Sequence, residues 1–207
     1  GICAGVGGSQ HLCSSYFFSN GIQGGMSPVA AGMALAKKLT EKQGLVAVYI
    51  GDGTLGEGIL YETMNMCSLW EVPLLIICEH NQYAQSTPSA STLAGSVIAR
   101  PQAFGIKTFE STTTKPEDLI ENALKSINYV RDTCKPAFHL VQTNRLAPHS
   151  KGDDTRDRSE VEQYRAQDPI CMFELDHPAA YKEMVHEIDH ELQTIINSLD
   201  GSAAMPI

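Results

Sequence analysis

The chain has 207 residues and a mass of 22.5 kDa, enough for one domain with a substantial buried core. It is 43% hydrophobic and 19% charged, which excludes a disordered tail, and no apolar run approaches the roughly 20 residues of a membrane span. Because its formal net charge is -9, we expect no nucleic-acid partner. We expect no membrane partner either, since no apolar run is long enough to span a bilayer. The six cysteines are scattered without a Cys-x-x-Cys pair, and most lie in apolar stretches, a pattern typical of small core residues in a reducing compartment.

Helical and strand patterns alternate along the chain after a glycine-rich loop predicted over residues 1–26. Ser27 is the expected N-cap of the first helix, which has Pro28 in its first turn. Short apolar runs rich in β-branched side chains predict buried strands. The expected strands are 45–50, 72–78, 105–109 and 136–143, and the expected helices are 27–44, 55–69, 115–131 and 178–198.

This alternation predicts an α/β fold, an open parallel sheet with helices on both faces. We expect residues 1–158 to form the main domain and residues 159–207 to form a helical C-terminal extension of it. Two polar segments, 79–100 and 144–158, are predicted loops, and the first is long enough to suggest a function.

Two predicted strands end in polar residues that suit a metal site. Asp52 stands between two glycines after the first strand, and Asn81 follows the second. Ligand sites of parallel sheets lie beyond the carboxyl ends of the strands, where these two side chains would meet. Magnesium prefers hard oxygen ligands and keeps phosphate oxygens among them, and flanking glycines let a phosphate approach the backbone closely. The pattern therefore predicts a magnesium-diphosphate site.

The pair of motifs resembles the thiamine diphosphate (ThDP) signature, and four longer segments narrow the resemblance. They look like the alpha subunit of 2-oxo acid dehydrogenase first components, the family of the pyruvate, branched-chain 2-oxo acid and acetoin dehydrogenases. The Pro-His-Ser-x-x-Asp-Asp form near residue 150 resembles the branched-chain and acetoin pattern more than the His-Gly-His-Ser pattern of the pyruvate enzymes. The segments are GVGGSQHL (5–12), FFSNGIQGGMSPVAAGMALAKK (17–38), GDGTLGEGILYETMNMCSLWEVPLLIICEHNQYAQST (51–87) and RLAPHSKGDDTR (145–156).

The resemblance implies ThDP and Mg²⁺ as cofactors and assigns each matching position a role. The metal would be held by Asp52, Asn81 and the main-chain carbonyl of Tyr83. The other implied cofactor contacts are the amides of Gly53 and Thr54 and the side chain of Arg145 at the diphosphate, and the backbone of Gly21 and Gln23 at the aminopyrimidine ring. The implied catalytic residues are His149 and His11, and Ser150 matches a serine that is phosphorylated in animal mitochondrial enzymes.

The resemblance also implies a two-chain active site. A beta-type subunit would supply the glutamate that activates the cofactor, in an alpha2beta2 assembly, so this chain alone should be inactive. The substrate would be a 2-oxo acid, and the acyl unit would pass to a lipoyl-bearing or other acceptor protein. The family's N-terminal helices are missing, which suggests a fragment, a shortened relative or half of a divided protein. We expect a cytoplasmic location, with the mitochondrial matrix as the alternative.

Three positions depart from the family pattern: His80 stands where Asn is common, Ala84 where Gly is frequent, and Gln23 where an apolar residue is usual. Two alternatives follow for the function. The chain could be the N-terminal half of a split transketolase, or a degenerate subunit that binds a partner without catalysis. His186 and His190 match the H-E-x-x-H pattern of zinc proteases, but the charged helix around them indicates a solvated face.

Overall fold

A computed structural model describes residues 11–150 and 152–200. Six strands and seven α-helices lie in this part of the chain, together with the 3-10 helices Asp52–Gly56 and Ser89–Ser91. The strands are β1 (Val46–Gly51), β2 (Leu74–His80), β3 (Tyr83–Ala84), β4 (Thr87–Pro88), β5 (Lys107–Thr112) and β6 (Ala137–Gln142). The helices are α1 (Met26–Leu39), α2 (Gly58–Trp70), α3 (Ala99–Ala103), α4 (Pro116–Thr133), α5 (Arg158–Arg165), α6 (Pro169–Asp176) and α7 (Pro178–Asp200).

Four strands form one parallel sheet in the order β1-β2-β6-β5, which confirms the predicted α/β fold. The pairing places Gly51 opposite Glu79 and His80 opposite Gln142, so three strands end at the same edge of the sheet. A parallel pair needs a long crossover, and here α2 connects β1 to β2 while α4 connects β5 to β6. The residues that follow β1 and β2 are therefore neighbours.

Helices cover both faces of the sheet, and the side chains of β2 show why. Leu74, Ile76 and Cys78 pack into one apolar cluster that includes residues of α1 and α2. Leu75 and Ile77 point the other way and pack into a second cluster with residues of α4. Because successive strand residues alternate between faces, the continuous apolar run of β2 is what a strand buried on both sides requires.

The structure corrects two details of the predicted helices. Gly25, not Ser27, is the N-cap of α1, and Ser27 is buried in the first turn with an Oγ atom that has no hydrogen-bond partner among the described residues. The helix expected from Leu55 is divided at Glu57 into the 3-10 helix Asp52–Gly56 and α2. This break matters because the 3-10 helix carries the candidate metal ligand.

Among the described residues, 22–150 and 152–169 form one compact unit that contains every strand, and 11–21 and 170–200 form another. The expected domain boundary after residue 158 stays a prediction. Cys67 and Cys78 are buried, Cys171 is half-buried, and Cys13 and Cys134 are exposed, so fewer of the described cysteines are core residues than expected. Among the described residues, no helix combines the length and apolar character needed to cross a membrane.

Candidate functional site

Asp52 is the buried acidic group at the carboxyl edge of the sheet. It follows β1 directly, and it is only 4% exposed. His80 Nδ1 at the end of β2 donates to Asp52 Oδ1 over 2.9 Å, but Asp52 Oδ2 has no hydrogen-bond partner in the described part of the chain. A buried polar atom without a partner is costly and calls for a ligand. Asp52 Oδ2 is thus available to a metal ion.

Cys78 lies on β2 close to this carboxylate, and its burial favours the neutral thiol. Burial raises the pKa of the Cys78 thiol to about 12, with further increases from the negative charges of Asp52 and Glu79. A thiol with this pKa remains protonated at neutral pH, and only the thiolate attacks or binds metal. The polar groups of the site that are ready to bind a hard cation are therefore oxygen atoms.

Gly53 and Thr54 form the turn after Asp52, and the side chain of Gln23 lies against them. Thr54 Oγ1 donates a hydrogen bond of 2.7 Å to Gln23 Oε1. A Cβ atom on Gly53 would approach Gln23 Cδ to 3.4 Å and the Cβ of Ala84 to 3.5 Å. Gly53 thus leaves a narrow space beside the carboxamide, in which an added Cβ would already be in van der Waals contact with its neighbours.

Asn81 and Tyr83 are joined by a side-chain turn at the end of β2. Asn81 Oδ1 accepts a hydrogen bond of 2.9 Å from the Tyr83 main-chain N–H. Gln82 between them has φ 69° and Gln85 has φ 57°, both in the left-handed region that non-glycine residues rarely adopt. Such strain clusters at functional sites. The turn keeps Asn81 and the main chain of Tyr83 close to the sheet edge where Asp52 lies.

The Tyr83 side chain anchors this turn to a later part of the chain, a connection that the sequence did not reveal. Its hydroxyl donates to Glu160 Oε1 over 3.1 Å, and the Arg156 guanidinium lies 5.6 Å from the ring centroid. Desolvation and the Glu160 carboxylate raise the pKa of the Tyr83 phenol. Arg156 also pairs with Asp154 over 2.7 Å and lowers the pKa of that carboxyl to about 2. The contacts of Tyr83 with Glu160 and Arg156 thus stabilise the turn at the end of β2.

Arg145 and His149 lie in the segment between β6 and α5. Arg145 Nη2 donates to the carbonyl of Gln85 over 2.8 Å, which places this guanidinium beside the β3–β4 hairpin. His149 Nδ1 lies 2.9 Å from Ser150 Oγ and 3.6 Å from Asp153 Oδ2. His149 and Ser150 are both exposed. Arg145 is therefore near the candidate site, whereas the described contacts of His149 stay within its own loop.

Arg100 supports the 3-10 helix Asp52–Gly56, a role that the sequence pattern did not indicate. Its guanidinium donates to the carbonyl of Leu55, 3.2 Å away, and to the hydroxyl of Tyr61. Tyr61 donates to the same Leu55 carbonyl over 2.5 Å. Two side chains thus hold the 3-10 helix that presents Asp52 and Thr54.

The remaining predicted positions belong to other segments of the chain. His11 and Gly21 belong to the other compact unit, and both are exposed; their roles stay predictions. His186 and His190 are exposed on α7, which supports the solvated interpretation. In the ranges 11–150 and 152–200, no three His, Cys, Asp or Glu residues are grouped to hold a metal ion. A metal at Asp52 would need oxygen ligands from amides, carbonyls and a bound phosphate.

Sequence comparison gives a family match along nearly the whole chain. The dehydrogenase E1 component family matches residues 3–200. The chain is 32% identical over 205 residues to the pyruvate dehydrogenase E1 component subunit alpha of Rickettsia felis, covering 95% of this chain and 63% of that protein. It is 30% identical to the mitochondrial subunit of the same name from Sminthopsis macroura, covering 93% of this chain and 55% of that protein. The chain thus spans less than two thirds of the length of these relatives.

Structural comparison confirms the fold independently. A transketolase from Campylobacter jejuni superimposes with a TM-score of 0.52 at 19% identity, covering 61% of this chain and 21% of the transketolase chain. At this level of identity, the match shows a shared architecture and does not transfer an activity.

Proposed function

Because the chain belongs to the dehydrogenase E1 component family, we propose that it is the ThDP-binding alpha-type subunit of a 2-oxo acid dehydrogenase. In this role it decarboxylates a 2-oxo acid and passes the acyl unit to an acceptor, together with a beta-type partner. The observation that carries the proposal is Asp52 Oδ2, a buried carboxylate oxygen without a hydrogen-bond partner among the described residues. It lies where the ThDP resemblance predicts a magnesium ligand.

The residues at this edge fit a magnesium ion bridged to a diphosphate. Asp52 supplies one charged oxygen, and Asn81 Oδ1 and the Tyr83 carbonyl supply two neutral ones. Magnesium takes about six oxygen ligands and commonly keeps substrate phosphates and water among them. With one protein carboxylate, the site has too little negative charge for a tightly held free cation. The metal should therefore bind together with the diphosphate.

The diphosphate itself would lie over the turn that follows Asp52. Gly53 and Thr54 offer main-chain amides, and Gly53 has no side chain to hinder the approach. Arg145 Nη2 donates to the Gln85 carbonyl over 2.8 Å, and it would give up this bond to contact a phosphate. A guanidinium and a phosphate form a strong charge-assisted hydrogen bond.

When bound, ThDP supplies a carbanion for attack on the 2-oxo acid and an electron sink for the loss of carbon dioxide. The residues of this chain bind and orient it: Gly21 and Gln23 contact the aminopyrimidine ring through their backbones. His149 and His11 contribute at the entrance, where they position the substrate or the acyl acceptor. A beta-type subunit supplies the activating glutamate in an alpha2beta2 assembly. The acceptor is a lipoyl-bearing or similar protein, and the location is the cytoplasm or a mitochondrial matrix.

Co-expression with a beta-type subunit tests this proposal. The complex should release carbon dioxide from a 2-oxo acid with ThDP and Mg²⁺, and the chain alone should not. A panel of pyruvate and branched-chain 2-oxo acids identifies the substrate, and Asp52→Asn in the same complex is the matched inactive control. Activity on ketose phosphates instead would favour the split transketolase, and assembly without ThDP binding would favour the degenerate subunit.

A further inference from the structure

Gln23 is a polar side chain in the candidate site that the family pattern does not explain, since an apolar residue is usual there. The role expected for this position uses only its backbone. In the structure the side chain is engaged as well, because Gln23 Oε1 accepts the 2.7 Å hydrogen bond from Thr54 Oγ1. The carboxamide is therefore held in one orientation beside the Asp52–Thr54 turn.

This orientation leaves the amide NH₂ of Gln23 as an available donor. The oxygen is occupied by Thr54, and within the described part of the chain Nε2 makes no hydrogen bond of its own. Nε2 lies 3.5 Å from the position that a Cβ on Gly53 would take. The donor thus borders the gap that Gly53 leaves open, and Gln23 is exposed, so a ligand has access to it.

The chemistry around this donor favours an anionic acceptor. α1 begins at Met26, three residues after Gln23, and its first turn contains no acidic residue, so the positive end of its dipole is not neutralised. A carboxamide NH₂ donates only, and diphosphate oxygens accept only. Because the Thr54 hydroxyl already donates its hydrogen to Gln23, Thr54 can donate to a phosphate only through its main-chain amide.

We propose that the Gln23 side chain is a diphosphate ligand of this chain, held in place by Thr54. The proposal rests on the proposed function, because it needs a diphosphate over Gly53. It adds a side-chain contact that the family pattern does not predict. Thr54 acts in it as a positioning residue, through its hydrogen bond to the carboxamide oxygen.

Gln23→Glu gives the sharpest test, because the carboxylate keeps an acceptor for the Thr54 hydroxyl and replaces the donor with a negative oxygen. Calorimetric titration of the full chain, co-purified with a beta-type subunit, measures the affinity for ThDP and for inorganic pyrophosphate, each with Mg²⁺. We expect both affinities to fall on the order of a hundredfold in Gln23→Glu and about tenfold in Gln23→Val, as for a lost hydrogen bond to a charged group. Gln43→Glu, an exposed glutamine before the amino end of β1, makes the same charge change and should leave both affinities unchanged.

Two Thr54 variants test the positioning role. Thr54→Val removes the hydroxyl and should weaken pyrophosphate binding several-fold, on the order of a neutral hydrogen bond. Thr54→Ser should restore it, which a loss of packing alone would not predict. In the Gln23→Glu background, Thr54→Val should have no further effect.

The outcomes separate this inference from the function beneath it. If wild type binds ThDP and Gln23→Glu binds both ligands equally well, the side-chain contact is wrong while the function stands. A Gln23→Glu variant that loses affinity for ThDP but not for pyrophosphate would also overturn it, because the contact would then lie at the ring. If wild type binds neither ligand, the proposed function fails and the inference fails with it.

Discussion

Replacing Asp52 by Asn should separate the stability of the chain from its capacity to bind a metal-diphosphate group. Asp52 is 4% exposed, and its Oδ2 atom makes no hydrogen bond among the described residues. Asparagine keeps an oxygen for His80 Nδ1, which lies 2.9 Å from Asp52 Oδ1 in the wild type. The substitution thus removes the charge and preserves the contact with His80.

The size of the effect distinguishes two roles for Asp52. If the buried pair with His80 served the fold, removing the charge of one partner would cost about 3–5 kcal/mol of unfolding free energy. A carboxylate that binds a ligand destabilises the unliganded fold, because an unpaired buried polar atom lowers the free energy of unfolding by about 1–3 kcal/mol. We therefore expect the unliganded variant to be within about 1 kcal/mol of wild type, or more stable. ThDP and Mg²⁺ at a hundredfold excess over their dissociation constant should stabilise wild type by about 2.7 kcal/mol and leave the variant unchanged.

Urea denaturation of the full chain, with and without ThDP and Mg²⁺, measures all four free energies. Asp132→Asn, an exposed change of the same charge near the end of α4, is the control and should keep the full ligand effect. Equal stabilisation of wild type and Asp52→Asn by the ligands would refute the assignment. A loss of several kcal/mol in the unliganded variant would show that the carboxylate serves the fold.

Three further predictions concern acid stability and the loop between β6 and α5. Burial lowers the pKa of His139 from its ordinary 6.5, so the folded chain binds fewer protons than the unfolded chain and loses stability as pH falls below that value. In urea titrations, the free energy of unfolding should fall by up to about 1.4 kcal/mol per pH unit in this range. The dependence of that free energy on pH should be weaker in His139→Gln. Arg156→Leu should raise the pKa of Asp154 from about 2 and speed hydrogen exchange over 144–150 and 152–158, and unchanged exchange would count against the Arg156 anchor. Phosphorylation at Ser150 adds about -1.5 to -2 charge beside Asp153, whose Oδ1 accepts from Ser150 N over 2.8 Å; Ser150→Glu should therefore also speed exchange, and slower exchange would contradict this regulatory role.

The strands, and the presence of Asp52 and Asn81 at the ends of two of them, were predictable because their signals are local. β1 and β2 are apolar runs bounded by polar residues, and Asp52 and Asn81 follow them immediately. In a parallel sheet this order along the chain already implies proximity. The sheet edge and its likeness to a ThDP site therefore follow from short-range patterns.

The start of α1 and the burial of Asp52 were harder to predict from the sequence. Ser27 is a residue type preferred at N-caps, but the helix begins two residues earlier, with Gly25 as its N-cap, and this places Ser27 in the core. Nothing in the local sequence around Asp52 predicts that its side chain is buried. Its burial depends on the 3-10 helix and on His80, 28 residues away, and no local pattern encodes either.

The contacts that support the site are long-range and were missed. Tyr83 meets Glu160 across 77 residues, and Arg100 meets the Leu55 carbonyl across 45. The Gln23 to Thr54 bond spans 31 residues. Side-chain pairs at such separations depend on the tertiary fold, so a single sequence identifies the members and not their partners.

A crystal structure of the chain with its beta-type partner, grown with ThDP and Mn²⁺, tests the central claim most directly. The anomalous signal of manganese locates the metal without reference to the sequence motifs. We predict one metal per chain, bound to Asp52 Oδ2, Asn81 Oδ1 and the Tyr83 carbonyl, with the diphosphate over Gly53. A metal and diphosphate bound away from Asp52 would contradict the account.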